Sequence, residues 1–494
     1  MYSHINRYRV KNLLPLLIPT LAIIAVVVIS LNNCYFWDNI RQTSVEAHWF
    51  MKNGLQGIFT LPEAGDSSLA RTGYHPPLVG LMTAMLWKIF GYSLAVSHIF
   101  TGLWALGLVY FTFRITGKFL PPEIAATATA VMLLDSTILA QTAIASPDII
   151  LLTCFMAAVY AVTDRKNVLL AVALLLMVLV NGRGMISAAA IFLFSVIHRP
   201  ALEGERHSWQ SLAGKIIPFV PASLIIAAYY TIFIAGNGGV MPVNSAEWGE
   251  GWLPPEGLTG LLKNFAAFML RILENGRFII FLIAAILIFR MRWAGFTRFL
   301  ADRFNRALLA GFISLATVFL LFALSTRLVI SSRYYMGMML IFTILLYRLA
   351  AGSMSIRSVR IMSLIVAVAL ITGNLWIYPE SIAKAWDGTL AHMPFYKARE
   401  ECIVWLSDEE MDVSAISAGF CLKGNQRYID LRDRDMIIGE NIQNRYFLYS
   451  NISNVDDYFA EELKDKGKWV PLKEFRNGNI FIRLYENNLY RDSE

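Results

Sequence analysis

Charge is what this sequence has least of. Of its 494 residues only 16% are Asp, Glu, Lys or Arg, against roughly 25% in an average soluble protein. A soluble chain of this length needs far more charge to cover its surface, so the balance argues against a soluble multidomain enzyme. Cysteine is scarce too: four residues are too few for a disulfide scaffold or a multi-Cys zinc site. Signatures of the common soluble enzyme classes are missing. There is no HExxH, no P-loop and no Gly-x-Ser-x-Gly, and no Rossmann strand precedes Gly182-x-Gly184.

What the chain has in abundance is apolar sequence. The hydrophobic share is 56% and the mean hydropathy is +0.52. The apolar residues fall in blocks near bilayer length, which predicts an α-helical, multi-pass membrane protein. Spans are expected near 13–31, 95–113, 122–142, 148–163, 167–182, 185–198, 214–235, 276–290, 307–325, 334–349 and 361–378, about eleven in all. Several are shorter than the roughly 20 residues of a full crossing. The pair 167–182 and 185–198 also reads as two half-spans meeting at Asn181-Gly182-Arg183-Gly184. The first run follows Arg7, Arg9 and Lys11 and lacks a small-x-small cleavage site, so we expect a retained first span.

The net charge of +7 hides a split. Residues 1–379 hold 28 Lys+Arg and 15 Asp+Glu, or +13; residues 380–494 hold 15 and 21, or −6. The basic excess therefore belongs to the membrane part and is not a nucleic-acid footprint. Eighteen of its basic residues fall on one set of helix ends, from Arg7 through Arg114, Arg206 and Arg290 to Arg360. The positive-inside rule makes that side cytoplasmic, with the N-terminus on it and residues 380–494 outside, in a cell or inner membrane. The outer side then carries a first loop at 32–94, a loop at 236–275 rich in Gly, Pro, Trp and Glu, and the tail. Segment 77–90 is apolar but short and suits an interfacial helix. Residues 41–54 read as a short amphipathic helix ended by Gly54.

The tail is expected to be a small α/β domain. Its strand-like pieces are Cys402–Leu406, Tyr446–Tyr449 and Ile480–Tyr485, and Val455–Lys466 is helical in pattern. Cys402 and Cys421 either pair or stay as buried thiols. Asn451-Ile452-Ser453 is a glycosylation sequon of a kind frequent by chance.

Acids near the membrane are few enough to weigh singly. Asp38 follows the first span and Asp148 opens the fourth, which puts both at the outer surface. Two carboxylates there suit a general base with a helper, or a divalent cation. The plain alternatives are an interfacial acid for Asp38 and a first-turn acid favoured by the helix dipole for Asp148. Asp135 lies inside the third span, and we read it as hydrogen-bonded to Ser136 or to a neighbouring span. Outer-face arginines run against the positive-inside rule. Arg41, Arg183, Arg327 and Arg333 offer planar guanidinium groups suited to phosphate, although each alone can be snorkelling. His75 is held extended by Pro76 and on residue type alone is structural.

The order of these pieces resembles the membrane glycosyltransferases of the GT-C fold, in the family of protein O-mannosyltransferases and the aminoarabinose transferase that modifies lipid A. Asp38-Asn39-Ile40-Arg41 follows the first span, and Phe50-Met51-Lys52-Asn53-Gly54 ends a short helix. His75-Pro76-Pro77-Leu78 stands for Lys-Pro-Pro-Leu, and Asp148 opens the fourth span. Arg183-Gly184 follows the fifth span and Arg333-Tyr334 opens a late one. The resemblance covers residues 1–350 and hardly touches the tail. Asn39 replaces an acid, His75 a lysine, and Tyr74 stands where the lipid A enzyme has a metal-binding acid.

That resemblance implies a membrane domain over 1–379, a separable extracytoplasmic domain over 380–494, and transfer of a sugar from a polyprenyl-phosphate donor to an acceptor hydroxyl. The acceptor is a glycan, a lipid or a protein, and inversion is expected. Asp38 and Asp148 would be catalytic. Arg41, His75, Arg183, Arg327 and Arg333 would bind the donor phosphate. No cofactor is expected, and a divalent metal is compatible but not required. The rival class is a transporter or flippase of a lipid-linked anion. Inverted internal repeats, common in transporters, are not evident in the sequence.

Overall fold

The computed structural model describes residues 12–55, 60–62, 70–72, 75–203, 209–236, 251, 253–327, 331–377, 386–434, 436–441, 444–453, 455 and 457–491. Tyr74, the basic residues Arg7, Arg9, Lys11 and Arg206, and most of 237–252 lie outside them.

The helices follow one another as α1 (Leu17–Ser30), α2 (Glu46–Asn53), α3 (Leu78–Phe90), α4 (Leu94–Phe119), α5 (Pro122–Met132), α6 (Ser136–Ala143), α7 (Pro147–Thr163), α8 (Asn167–Val180), α9 (Arg183–Glu203), α10 (Trp209–Ile216), α11 (Val220–Gly236), α12 (Gly257–Leu273), α13 (Phe278–Ala301), α14 (Arg303–Ser325), α15 (Met336–Ser353), α16 (Ile356–Thr372) and α17 (Phe395–Asp408). Their boundaries have local causes. Side-chain oxygens of Ser93, Ser146, Asp302 and Ser355 accept first-turn N–H groups of α4, α7, α14 and α16. Gly54, at φ +61°, stops α2 as expected.

The eleven expected spans correspond to helices of three kinds. Six are long and apolar enough to cross a membrane, α5 and α6 form one pair bent by 56°, and the other four are shorter apolar helices. The expected straight span at 122–142 is therefore broken: Asp135 leaves helical geometry and caps α6, accepting from the Thr137 N–H at 2.9 Å. The outer loop at 236–275 is not all loop, since it contains α12. That helix buries Phe268 and Ile272 and exposes Leu258 and Leu262, an amphipathic split expected of a helix at an interface.

Burial sorts the helices. Helix α7 is apolar on every side and nearly all of it is buried, so it runs through the centre. Helix α15 is almost as enclosed. Helix α13 leaves Phe289 and Trp293 bare, as suits a helix facing lipid.

Strands β1 (Thr60–Pro62) and β2 (Ala70–Thr72) pair in the first loop. In the tail, β3 (Ile416–Ala418), β4 (Gly424–Asn425), β5 (Ile437–Ile438), β6 (Tyr446–Ser450), β7 (Trp469–Asn477) and β8 (Ile480–Asn487) form a four-stranded sheet in the order β3-β6-β8-β7 and a small pair, β4-β5. The strands expected at 446–449 and 480–485 are β6 and β8, and a helix spans Asp457–Glu462. Cys402–Leu406 is no strand. Phe395, Ala398, Arg399, Cys402, Ile403 and Leu406 are buried at spacings of three and four, the face of α17. A five-residue window is too short to show that period. Cys402 and Cys421 are free, buried thiols. Burial pushes Cys402 up to about 12. The Asn451 side chain is buried, giving its N–H to Asn479 and accepting from Phe481, which leaves no free amide for a glycan.

Phe36, Trp37 and Ile144 belong to the same hydrophobic cluster as Trp386, Phe395, Leu422 and Ile482. The tail core thus closes over the turn that follows α1.

Candidate functional site

Two strained turns carry the two acids. Trp37 and Ala145 sit at φ 59° and 53°, unusual for residues other than glycine. Such positions persist only where the surroundings hold them, and they cluster at functional sites. Trp37 is held in the tail core and directly precedes Asp38. Ala145 precedes Ser146, which caps α7, and Pro147 supplies the fixed φ that starts the helix. Asp148 therefore stands in the first turn of α7. After Asp38 the chain enters a π-helical turn, Ile40–Val45, a feature often found at functional sites.

Arg183 opens α9 after the break at Asn181-Gly182, where the Asn181 Oδ1 accepts the Arg183 N–H at 3.0 Å. A Cβ on Gly184 would lie 1.9 Å from the Met177 carbonyl oxygen, so only glycine lets α9 start against the end of α8. Arg333 lies in a 3₁₀ turn, Ser332–Tyr335, that leads into α15.

These four residues converge. Arg183 donates Nη1 to Asp148 Oδ2 at 3.1 Å and holds Nη2 2.7 Å from Oδ1 as an ion pair, so both its Nη atoms face the carboxylate. Arg333 gives Nη2 to Asp38 and holds Nε 3.4 Å from Asp148 and Nη1 3.1 Å from Asp387 as ion pairs. The Tyr334 ring lies beneath both guanidinium groups, 4.4 Å from Arg183 and 5.6 Å from Arg333. Burial opposes ionisation of Asp38, but Arg333, with help from Arg183, more than offsets it and holds the carboxyl below the usual range. Asp387 behaves otherwise: burial wins over Arg333 and its carboxyl is raised.

His75 lies beside them. The Gly182 N–H donates to its Nδ1 at 3.2 Å, and its own carbonyl accepts from Tyr229. Burial, then repulsion by Arg183, pushes the imidazole down to about 4. Near neutral pH it is therefore an uncharged ring with its proton on Nε2, a hydrogen-bond donor and not a cation. Arg41 is on the π-helical turn, and its charge acts on His75 and on the buried Glu46. Arg327 is placed apart: its guanidinium meets Glu256 at 2.9 Å and the Pro254 carbonyl at 2.9 Å, at an exposed edge before α12.

A cavity opens beside the cluster. Its polar end is Asp148, Arg183 and Arg333; its walls are Leu151, Leu152 and Phe155 of α7 with Phe319 and Phe322 of α14. An anionic head with an apolar tail matches both ends.

Each of the three acids rests on a guanidinium, and among the described residues no three His, Cys, Asp or Glu side chains converge as a metal would require.

Sequence reasoning missed Asp387 and Arg277. Asp387 counts as one of many tail acids, and nothing local marks it as buried. Arg277 grips Asp135 with Nε and Nη2, both at 2.7 Å, and neither residue is accessible. The intramembrane acid is thus paired with a neighbouring helix, in the structural role expected of it. Arg277 also points Nη1 at the Ser332 carbonyl, 3.5 Å away, one residue before Arg333.

No known protein-family profile matches the sequence, and no curated protein matches it significantly. Solved structures do match. The chain is similar to ArnT from Cupriavidus metallidurans bound to undecaprenyl phosphate, at 10% identity and TM-score 0.52, over 95% of this chain and 97% of that one. It is similar to the same ArnT in the apo state, at 12% identity and TM-score 0.52, over 93% and 96%. The two chains align from end to end, tail included, and this protein has the GT-C fold of a multi-pass membrane protein with a small C-terminal sheet domain.

Proposed function

We propose that the protein is a membrane glycosyltransferase that moves a sugar from a polyprenyl-phosphate donor to an acceptor hydroxyl on the outer face of the membrane. The observation that carries this reading is the cavity with Arg183 and Arg333 at one end and an aliphatic and aromatic wall at the other. The ArnT that shares its fold binds undecaprenyl phosphate, a lipid of that shape.

Asp38 is the base. Its neighbours keep it ionised at neutral pH, and it is the most exposed of the three acids on Arg333. The acceptor oxygen attacks the anomeric carbon as its proton passes to Asp38, and the bond to the phosphate oxygen breaks with its electron pair on the phosphate. Attack opposite the leaving group inverts the anomeric carbon. Arg183 and Arg333 stabilise the charge that develops on the departing phosphate, Tyr334 holds both in plane, and His75 offers one neutral N–H. Asp148 fixes the fork of Arg183. Arg41, whose charge reaches His75, adds to the positive field of the site. The short-loop charge bias supports a cytoplasmic N-terminus and an outer tail.

The test is transfer of radiolabelled sugar from a synthetic polyprenyl-phosphate donor by purified protein in detergent. Several sugars and acceptors should be offered in parallel. Failure to bind any polyprenyl phosphate sinks the reading.

A further inference from the structure

Each side of the Arg333 guanidinium faces a carboxylate: Nη2 is hydrogen-bonded to Asp38, Nη1 lies 3.1 Å from Asp387 as an ion pair, and Nε lies 3.4 Å from Asp148 without a hydrogen bond. Arg183 is already forked on Asp148. Counting only groups in direct contact, three carboxylates against two guanidinium groups leave −1. A lipid phosphodiester brings another −1. Seating it therefore requires that a carboxylate let go of Arg333 and that the added charge be answered.

The three acids differ in what they can do when released. Asp38 keeps 29% of its side chain exposed and can be rehydrated. Asp148 stays bound to Arg183. Asp387 is 6% exposed and has Arg333 as its ion-pair partner. Its position is fixed by the chain: its carbonyl accepts from Gln141 of α6 at 2.8 Å, and Trp386 is locked in the tail core. A Cβ on Gly388 would come within 2.9 Å of the Ser332 Oγ, so this segment lies tight against the turn that carries Arg333. The charged groups that reach Asp387 are Arg333 from the 3₁₀ turn, Asp38 from the turn after α1, Asp148 from α7 and Arg271 from α12. A buried carboxylate that loses its guanidinium and cannot reach water takes a proton.

We infer that Asp387 is a proton-linked donor-binding residue: as the lipid phosphate claims the Nη1 edge of Arg333, the Asp387 carboxylate yields that edge and takes one proton from solvent. The contacting charge then returns to −1. This rests on the donor reading above and adds a role for the tail in it. The raised carboxyl of Asp387 agrees with the direction.

The experiment is titration calorimetry of the full chain in detergent, in two buffers of different ionisation enthalpy near neutral pH. The probe is a polyprenyl methyl phosphodiester, which carries one negative charge and no proton to exchange. Wild type should take up about one proton per lipid, and its affinity should fall about tenfold per pH unit in the linked range. Asp387→Asn should bind with little or no uptake. Binding by wild type without proton uptake, or equal uptake by wild type and Asp387→Asn, overturns the inference and leaves the donor reading standing. No binding by wild type overturns both. If Asp387→Asn does not fold, the count is read in His75→Gln instead: uptake kept there supports Asp387, and uptake lost there assigns the proton to His75 and overturns the inference.

Discussion

The Asn39 side-chain amide donates to the Ile144 carbonyl at 2.7 Å, and this bond ties the turn that presents Asp38 to the turn that presents Asp148. The two acids come from strained segments more than a hundred residues apart in sequence, and this buried amide joins Arg333 in setting their spacing. Asn39 stands where the resembling family has an acid. Here the position needs a donor, since an acid would face a carbonyl oxygen. Asn39→Asp should therefore lower the rate and the melting temperature together, by roughly 1–3 kcal/mol for the unsatisfied pair. Unchanged values for both would remove the tie from the account.

Asp38→Asn keeps the shape of the side chain and removes the base. Transfer should fall by roughly 10²–10⁴ while affinity for the polyprenyl phosphate is kept. Asp148→Asn should behave differently, because it frees Arg183 and so disturbs donor affinity as well as rate. Near-wild-type transfer by Asp38→Asn would sink the base assignment.

The arginines divide into two groups. Arg183→Ala and Arg333→Ala should each weaken donor binding by about one to two decades, the cost of a charge-assisted hydrogen bond of roughly 1.5–3 kcal/mol. Arg327→Ala should leave donor affinity near wild type, because its partners are Glu256 and Pro254. Equal losses in all three would show that Arg327 moves to the lipid on binding.

Acid should destabilise the protein in two stages. His75, His48 and His392 are each depressed to about 4, by burial first. A histidine depressed from about 6.5 stabilises the fold fully above that value, and the contribution is lost as pH falls from there toward 4. Asp38 is also depressed, so its share persists above about 3.9 and is lost only as pH falls through its lower folded value. The melting temperature should be flat above pH 6.5 and fall between 6.5 and 4, and His75→Gln should reduce that slope. The raised carboxyls of Asp387 and Glu46 act in the opposite direction, so the readout is the difference between wild type and His75→Gln, and identical curves down to pH 4 would contradict the burial of His75.

The pair Asp135–Arg277 is buried and bidentate. Arg277→Met leaves an uncompensated carboxylate in the membrane part and should cost roughly 3–5 kcal/mol, whereas the double change to Asp135→Leu and Arg277→Met should cost much less. Recovery of yield and melting temperature in the double variant is the measurement.

Much of the membrane part was legible in the sequence because lipid imposes a single strong rule, a block of apolar residues per helix. The rule is blind to breaks. Asp135 caps a new helix inside the third block, and that depends on Arg277 being brought to it by folding. The arginine pair of the site was legible through Arg183-Gly184 and Arg333-Tyr334, where the residue types suit phosphate and the glycine is demanded by the Met177 carbonyl. Asp387 was not legible. An acid in an acidic tail looks solvated, and only tertiary packing buries it. Arg327 shows the opposite limit, since an outer-face arginine next to a late span reads the same in sequence whether it faces the cavity or Glu256. The tail helix α17 was missed because its buried face shows a period only over a window longer than the five residues considered.

The contact of Asp387 with Arg333, and of Phe36 and Trp37 with the tail core, also bears on the order in which the protein is made. A ribosome delivers Asp38 to the membrane some 295 residues before Arg333, and Asp387 and the tail sheet follow after both. Until they arrive, Arg333 lacks one of its counter-charges and the turn before Asp38 lacks the core that covers it. Nascent chains halted before residue 386 should insert and yet be cut by protease at the turn before Asp38. Chains extended through the tail sheet should resist. The turn that presents Asp38 is thus set from a distance, by a segment made long after it.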